Sequence, residues 1–355
     1  MKERSVKNVP IHNYLGESAP PAWEFTFGDG DIVLKSAVYL ARNFADYRFP
    51  HLASDDELKK IADTVRGIIK DLAMEEIAMD RLTAVEGEIL ADKRIVARCF
   101  LNGRKYRSLF LKNNGKDIIA VNEEDHILIC FKREGLGFFE LLDKAFKVDD
   151  MLDAEADIAY DETFGYLSSL PSRVGTGLRA VTILHLPALS YTKNIKNTAD
   201  IAGKLGLDFV SLYGAKEKDW QGNLFVLSNH KTIGFPEADT VKKVENFARE
   251  VAATERRGRE VLDKHRKDPL ADVVWRAYGL LEHSKILTEK EALDAASKLQ
   301  MGSDMGIIDK IPGSFFGEIF TLSRRSYLRN LAGSDGDVEH LRAIIANKTI
   351  RKYMK

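Results

Sequence analysis

The chain has 355 residues, 45% hydrophobic and 30% charged, enough to bury a full core and to divide into two domains. With 53 basic against 54 acidic residues the formal net charge is -1, so no global field attracts nucleic acid or a membrane surface, and any basic site must be local. The cysteines, Cys99 and Cys130, stand in apolar stretches without metal-ligand spacing, which fits a reducing, cytoplasmic home. A polar start and the lack of any run of about 18 apolar residues lead us to expect neither export nor membrane anchoring.

Residues 1–30 hold Pro10, Pro20, Pro21 and the turn Gly28-Asp29-Gly30, an irregular lead-in, with the ordered core starting near Asp31. Ser54-Asp55-Asp56-Glu57 reads as a capping box ahead of LKKIADTVRGIIKDL, whose Leu58, Ile61, Val65, Ile68 and Ile69 have helical spacing. Between about 80 and 131 the segments RIVARCFL, SLFLK and DIIAV, punctuated by Gly103 and Asn113-Asn114-Gly115, predict short strands of an antiparallel sheet. FGYLSSL, LDFVSLY and NLFVLSN predict further strands, and Gly177-Leu178-Arg179 is read as opening a helix towards Leu189. Strands and helices mix without βαβ alternation, so the fold class is α+β.

From Glu237 the pattern VKKVENFAREVAATERRGREVLDKH is one long helix, and the chain beyond is almost wholly helical. Asp268-Pro269 marks a helix start, Thr288 to Glu291 a second capping box, and Gly333 to Gly336 a break before VEHLRAIIANKTIRKYM. The expected division is a lead-in over 1–30, a mixed domain over 31–254 and a helical domain over 255–355 for dimerisation or partner binding. The arginine runs at Arg256, Arg257, Arg259 and at Arg324, Arg325, Arg329 read as solvated helix faces. Trp275, Tyr278, Phe315, Phe316 and Phe320 read as core or dimer-interface residues.

Asn122-Glu123-Glu124-Asp125-His126 places three consecutive carboxylates at a strand end. Alone, that is a solvated turn as readily as a catalytic cluster. Pro171 to Arg179 supplies Gly175 and Gly177, and glycines before a helix start expose backbone N–H groups that favour phosphate, although such glycines commonly serve geometry only.

Together with DIVLKSAVYLARNFADYRFP, VNEEDH, FGYLSSLPSRVGTGLRA, HLPAL and GNLFVLSN in this order, these segments resemble the ATP:guanidino phosphotransferases, or phosphagen kinases. The helical extension after residue 255 makes the chain most similar to the McsB-type bacterial protein arginine kinases. The resemblance implies an antiparallel sheet flanked by helices, Mg-ATP as co-substrate and transfer to arginine side chains. It also implies a homodimer and protein partners such as a Clp-type chaperone or protease, or a zinc-binding activator. Such chemistry needs arginines and Mg²⁺ to hold the triphosphate while carboxylates orient the nucleophile.

By that resemblance Glu124, Glu123 and Asp125 are the catalytic carboxylates, and Arg179, Ser36, His126, Arg173 and Thr182 mark the nucleotide pocket. The phosphate arginines of the family fall on Ala37, Tyr39, Leu128 and Val210, so only Arg179 remains. The family's second catalytic glutamate falls on Ala215, its pocket cysteine on Leu170 and its pocket histidine on Phe100. Arg173 stands where the family has asparagine, and with Lys35, Lys216 and Lys218 could supply relocated charge. The family's phosphoarginine-sensing motif retains only Arg342 and Ala343. The expectation is therefore a pseudokinase with a vestigial, degenerate site, no cofactor, and a regulatory or adaptor role. The alternative is an active protein arginine kinase using Mg-ATP, either alone or completed by an activator. No metal site of the chain's own is expected.

Overall fold

The computed structural model describes residues 32–103, 105–214, 216–332 and 337–354. The lead-in over 1–30, Ala215 and the break at Gly333 to Gly336 lie outside the described residues.

An eight-stranded sheet organises the chain: β1 (Val33–Arg42), β2 (Glu75–Ala78), β3 (Ser108–Lys112), β4 (Asp117–Val121), β5 (Ile127–Glu134), β8 (Leu178–His185), β9 (Leu207–Ser211) and β10 (Leu224–Asn229). Its order is β2-β3-β4-β5-β1-β8-β10-β9 and its neighbours pair antiparallel. A separate hairpin joins β6 (Tyr160–Asp161) to β7 (Gly165–Tyr166). The helices are α1 (Asp55–Ile68), α2 (Ala84–Asp92), α3 (Phe138–Glu155), α4 (Pro187–Tyr191), α5 (Ile195–Lys204), α6 (Glu237–His283), α7 (Glu289–Asp304), α8 (Ser314–Leu322), α9 (Arg325–Ala332) and α10 (Val338–Tyr353). The sheet flanked by helices, followed by a helical region, is the expected α+β class.

Register decides what each strand presents. Tyr39 pairs with both Cys130 and Arg179, Ala37 with Lys132 and Val181, Leu128 with Ala41, and Val226 with Val210. Directly paired residues share a face. One face therefore carries Ala37, Tyr39, Leu128, Arg179 and Val210, while Ser36, Val38, Leu40, Arg42 and Thr182 point the other way. That second face is the main core, where Val38, Leu40, Ile129, Ala180 and Leu184 pack with α1, α3 and the first half of α6. The first face is covered only at its ends. Ile77, Leu111, Ile118 and Cys130 pack with Ile89 and Leu90 of α2, and Ile183 and Leu224 pack with Leu293 of α7 and Phe316 of α8.

Both predicted capping boxes form, Ser54 accepting from Glu57 N and Thr288 from Glu291 N. Several predicted elements differ. RIVARCFL is not a strand: Arg94 adopts φ 54°, Ile95 N donates back to Leu90 O at 2.9 Å, and Arg98–Leu101 coils into a 3₁₀ turn. Its Ile95, Val96 and Phe100 fill the cluster under α2 instead of a ladder. The segment before it is helical, because Thr83 and Glu86 form a third capping box. Only Gly165–Tyr166 of FGYLSSL is extended. Leu178–His185 is a strand and not a helix, since Val181, Thr182 and Ile183 are β-branched and the stretch is laddered on both sides; the helix begins only at Pro187.

The long helix α6 runs through Asp268-Pro269 to His283, with a break at Arg266 (φ -141°, ψ 27°) that leaves Pro269 in the opening turn of its second half. Arg259 is buried, paired with Glu255 and Asp304 at 3.0 Å, so it is not part of a solvated face. Phe315, Phe316 and Phe320 are core, whereas Trp275 is 52% exposed and meets Tyr278 edge-on. Among the described residues no helix is long and apolar enough to cross a membrane.

Candidate functional site

A cavity of about 600 Å³ occupies the uncovered middle of the sheet's first face. Tyr39, Leu128, Arg179, Val181 and Val226 form its floor. The segment from Asp92 to Phe100, the loop at Leu212 and Tyr213, and Arg324 form its walls. The floor is thus apolar except for Arg179, which reaches Ser228 Oγ at 3.4 Å, and Tyr39, whose phenol pKa is raised well above normal by burial and by the neighbouring Cys130. Ala37 and Val210 lie on the same face as these residues.

Two of the cations around the cavity, Arg94 and Arg98, come from a segment the sequence does not flag. Arg94 is ringed by protein, which lowers its pKa through desolvation and then through repulsion from Arg324, yet much of its surface opens to the cavity. It donates to Leu212 O at 3.0 Å. Arg98 pairs with Asp92 at 2.5 Å. Arg324 pairs with Glu289 at 2.8 Å, donates to Tyr213 Oη at 2.6 Å and lies over the Phe320 ring, so it lines the cavity and is no solvated face. Lys35, on β1, Lys216 and Lys218 are not among the lining residues; of the relocated charges expected, Arg173 is.

The carboxylates divide into distinct tasks. Asp125, fully buried, accepts from Asn43 Nδ2 at 2.8 Å, Ser168 Oγ at 2.9 Å and Ser169 N at 2.8 Å, which fixes the turn after β4. Glu124, 34% exposed, faces Arg173 Nη2 at 3.1 Å, and Asp125 receives Arg173 Nη1 at 3.3 Å. Glu123 is only 5% exposed, lines the cavity, and leaves Oε2 without a hydrogen-bond partner. Burial, against which Arg173 works only partly, lifts its pKa to about 7.

Other sequence-derived positions lie apart. His126 is buried, with Nδ1 accepting from Phe44 N at 3.0 Å and Nε2 meeting Arg48 O at 2.8 Å, so both ring nitrogens serve the backbone. Ser36 and Thr182 bond each other at 3.4 Å in the sheet's second face, away from the cavity. Arg42, on that same face, is clamped by Asp149 at 2.7 Å and stacks on Tyr166, which accounts for an arginine there without any ligand. Gly175 and Gly177 do not precede a helix. A Cβ on Gly175 would stand 2.4 Å from Thr232 O and one on Gly177 2.6 Å from Ala41 O, so these glycines allow backbones to touch. Phe100 lines the cavity, while Arg342 is buried, donating to Ser323 O and Leu287 O.

The family model for the ATP:guanido phosphotransferase C-terminal catalytic domain matches residues 57–258, and that for the protein-arginine kinase McsB C-terminal domain matches 267–355. The chain belongs to the protein-arginine kinase family. Protein-arginine kinase of Desulforamulus reducens is 34% identical over 319 residues, covering 88% of this chain and 89% of the relative. That of Halalkalibacterium halodurans is 32% identical over 331 residues, covering 92% and 93%. In fold, the chain is similar to lombricine kinase (TM-score 0.55, 18% identity, 69% of this chain and 75% of that one). It is also similar to the duplicated taurocyamine kinase of Schistosoma mansoni (TM-score 0.58, 17% identity, 75% of this chain), of which it spans 42%.

Proposed function

We propose that this protein-arginine kinase relative has lost phosphoryl transfer and acts as a regulatory protein. One observation carries the reading: on the sheet face under the cavity, the positions where the family resemblance places phosphate arginines are Ala37, Tyr39, Leu128 and Val210, leaving Arg179 alone on the floor. A transition-state arginine in phosphoryl transfer is worth on the order of a thousand-fold in rate, and several are missing from one surface. In this role the protein binds protein partners, of a Clp-type system or a zinc-binding activator, or a second copy of itself.

The second reading is an active protein arginine kinase using Mg-ATP. That the relatives are protein-arginine kinases favours it over the first reading, and so do Arg94, Arg98 and Arg324, which could hold a triphosphate from the cavity walls. Glu123, in the cavity wall, and its neighbour Glu124 would then meet the incoming guanidinium. The measurement that separates the readings is phosphoarginine detected by mass spectrometry after incubating the purified chain, with Mg-ATP, and a model protein, with and without an activator. The first reading expects none under either condition; phosphoarginine formed in either establishes the second.

A further inference from the structure

The guanidinium groups around the cavity fall into two sets. Arg98, Arg173 and Arg324 pair with Asp92, Glu124 and Glu289. Arg94 and Arg179 have no carboxylate partner among the described residues: Arg94 donates to Leu212 O at 3.0 Å, and Arg179 reaches Ser228 Oγ at 3.4 Å. Arg94 is fixed from behind, its carbonyl accepting from the buried Lys132 Nζ at 2.8 Å. Burial and then Cys130 raise the Tyr39 phenol well above its ordinary pKa, and the two guanidiniums that pull against them are Arg94 and Arg179. Both cations therefore stand near Tyr39.

Around this double cation the floor is apolar. Tyr39, Leu128, Val181 and Val226 are each half-buried, so their carbon surface faces the cavity instead of closing into the core. A triphosphate gains nothing from such a floor, because its oxygens would surrender water to side chains that return no hydrogen bond. Apolar carbon laid there gains in proportion to the area it covers. A volume of about 600 Å³ is that of a small-molecule site. Glu123, 5% exposed in the wall with Oε2 unmatched, adds a hydrogen-bonding group that the protein itself leaves unused.

We propose that the cavity binds an organic acid with an apolar body, its carboxylate held by Arg94 and Arg179 beside Tyr39 and its body laid on Leu128, Val181 and Val226. The inference rests on reading the chain as one that no longer transfers phosphate, and it names the ligand class that the cavity takes instead. Two guanidiniums suit a single carboxylate through charge-assisted, forked contacts. Tyr39 and Leu128, which stand where the family resemblance places phosphate arginines, become the contact surface. The substitutions that dismantle a triphosphate site thus build one for an amphiphile.

Calorimetry on the full chain with octanoate, acetate and 1-octanol tests this, octanoate serving as the probe acid. Octanoate should bind at a single site, about a hundred-fold or more tightly than acetate, because each buried methylene favours the longer acid about four-fold. It should also bind about ten-fold or more tightly than 1-octanol, which has the body without the charge. R94M and R179M should each weaken octanoate about ten-fold and leave 1-octanol unchanged. Octanoate held no better than acetate or 1-octanol, or spread over many sites, overturns the proposal, and so does octanoate binding that neither variant weakens. The comparison of the three ligands needs no variant and decides the matter if either variant fails to fold. No nucleotide enters these measurements. Their failure removes the ligand class and leaves the loss of phosphoryl transfer standing, whereas phosphoarginine formed on a model protein would sink that loss alone.

Discussion

At Glu123 the cost of charging a buried carboxyl in the cavity wall exceeds the help that Arg173 gives, and the proton is retained to about pH 7. The free side chain titrates near 4.5, so the fold binds this proton more tightly than the unfolded chain does. The stability linked to it is complete below pH 4.5 and is lost as pH rises through about 7. E123Q keeps the neutral form at every pH. Urea unfolding at pH 5 and pH 8 should show E123Q without a loss on the order of 3 kcal/mol seen in the unaltered chain. An identical decline in both proteins contradicts the assignment. The sequence exposed the three acids as a group but not their division of labour, because burial and hydrogen bonding around Glu123, Glu124 and Asp125 come from Asn43, Ser168 and Arg173, far along the chain. Ser36 and Thr182 were misplaced for a simpler reason. Strand parity turns them to the opposite face from Tyr39 and Arg179.

Among the elements, capping chemistry was readable wherever an amphipathic stripe followed it. Ser54 and Thr288 both cap as their spacing implies, whereas α2, with the same Thr-x-x-Glu signature, was hidden because its buried residues, Gly87 and Ile89 to Ala91, form a run and not a stripe. T83A should therefore lower stability by about 1 kcal/mol, measured by chemical denaturation, since it strips a hydrogen bond from Glu86 N and a partner from the Glu86 carboxylate. No change would mean that α2 is held by its packing alone. The strand Leu178–His185 shows the reverse error. Its Gly-Leu-Arg opening looks like a helix start, yet alternate burial of Leu178 and Ala180 around the exposed Arg179 is a period of two.

For the whole molecule, the α+β architecture was legible because its motifs are long and occur in order. Closure of the cavity was not. Its walls come together through contacts such as Ser326 Oγ donating to Asp92 Oδ2 at 2.6 Å, across 234 residues of sequence, and no local pattern records such a meeting. Arg94 and Arg324 face the same space from opposite ends of the chain. An anion should accordingly find this cavity: pyrophosphate titrated into the full protein should bind about ten-fold more weakly to R94M, the loss of one charge-assisted hydrogen bond. Equal affinity would place the anion elsewhere.

The helix α6 leaves the main core at Ala252, turns at Arg266, and finishes in the cluster beneath α7 and α8 with Val274 and Leu281. It is a crank threaded from one side of the sheet to the other. One rod thus lends side chains to both layers, so its withdrawal would strip Val244 from one and Leu281 from the other at a stroke.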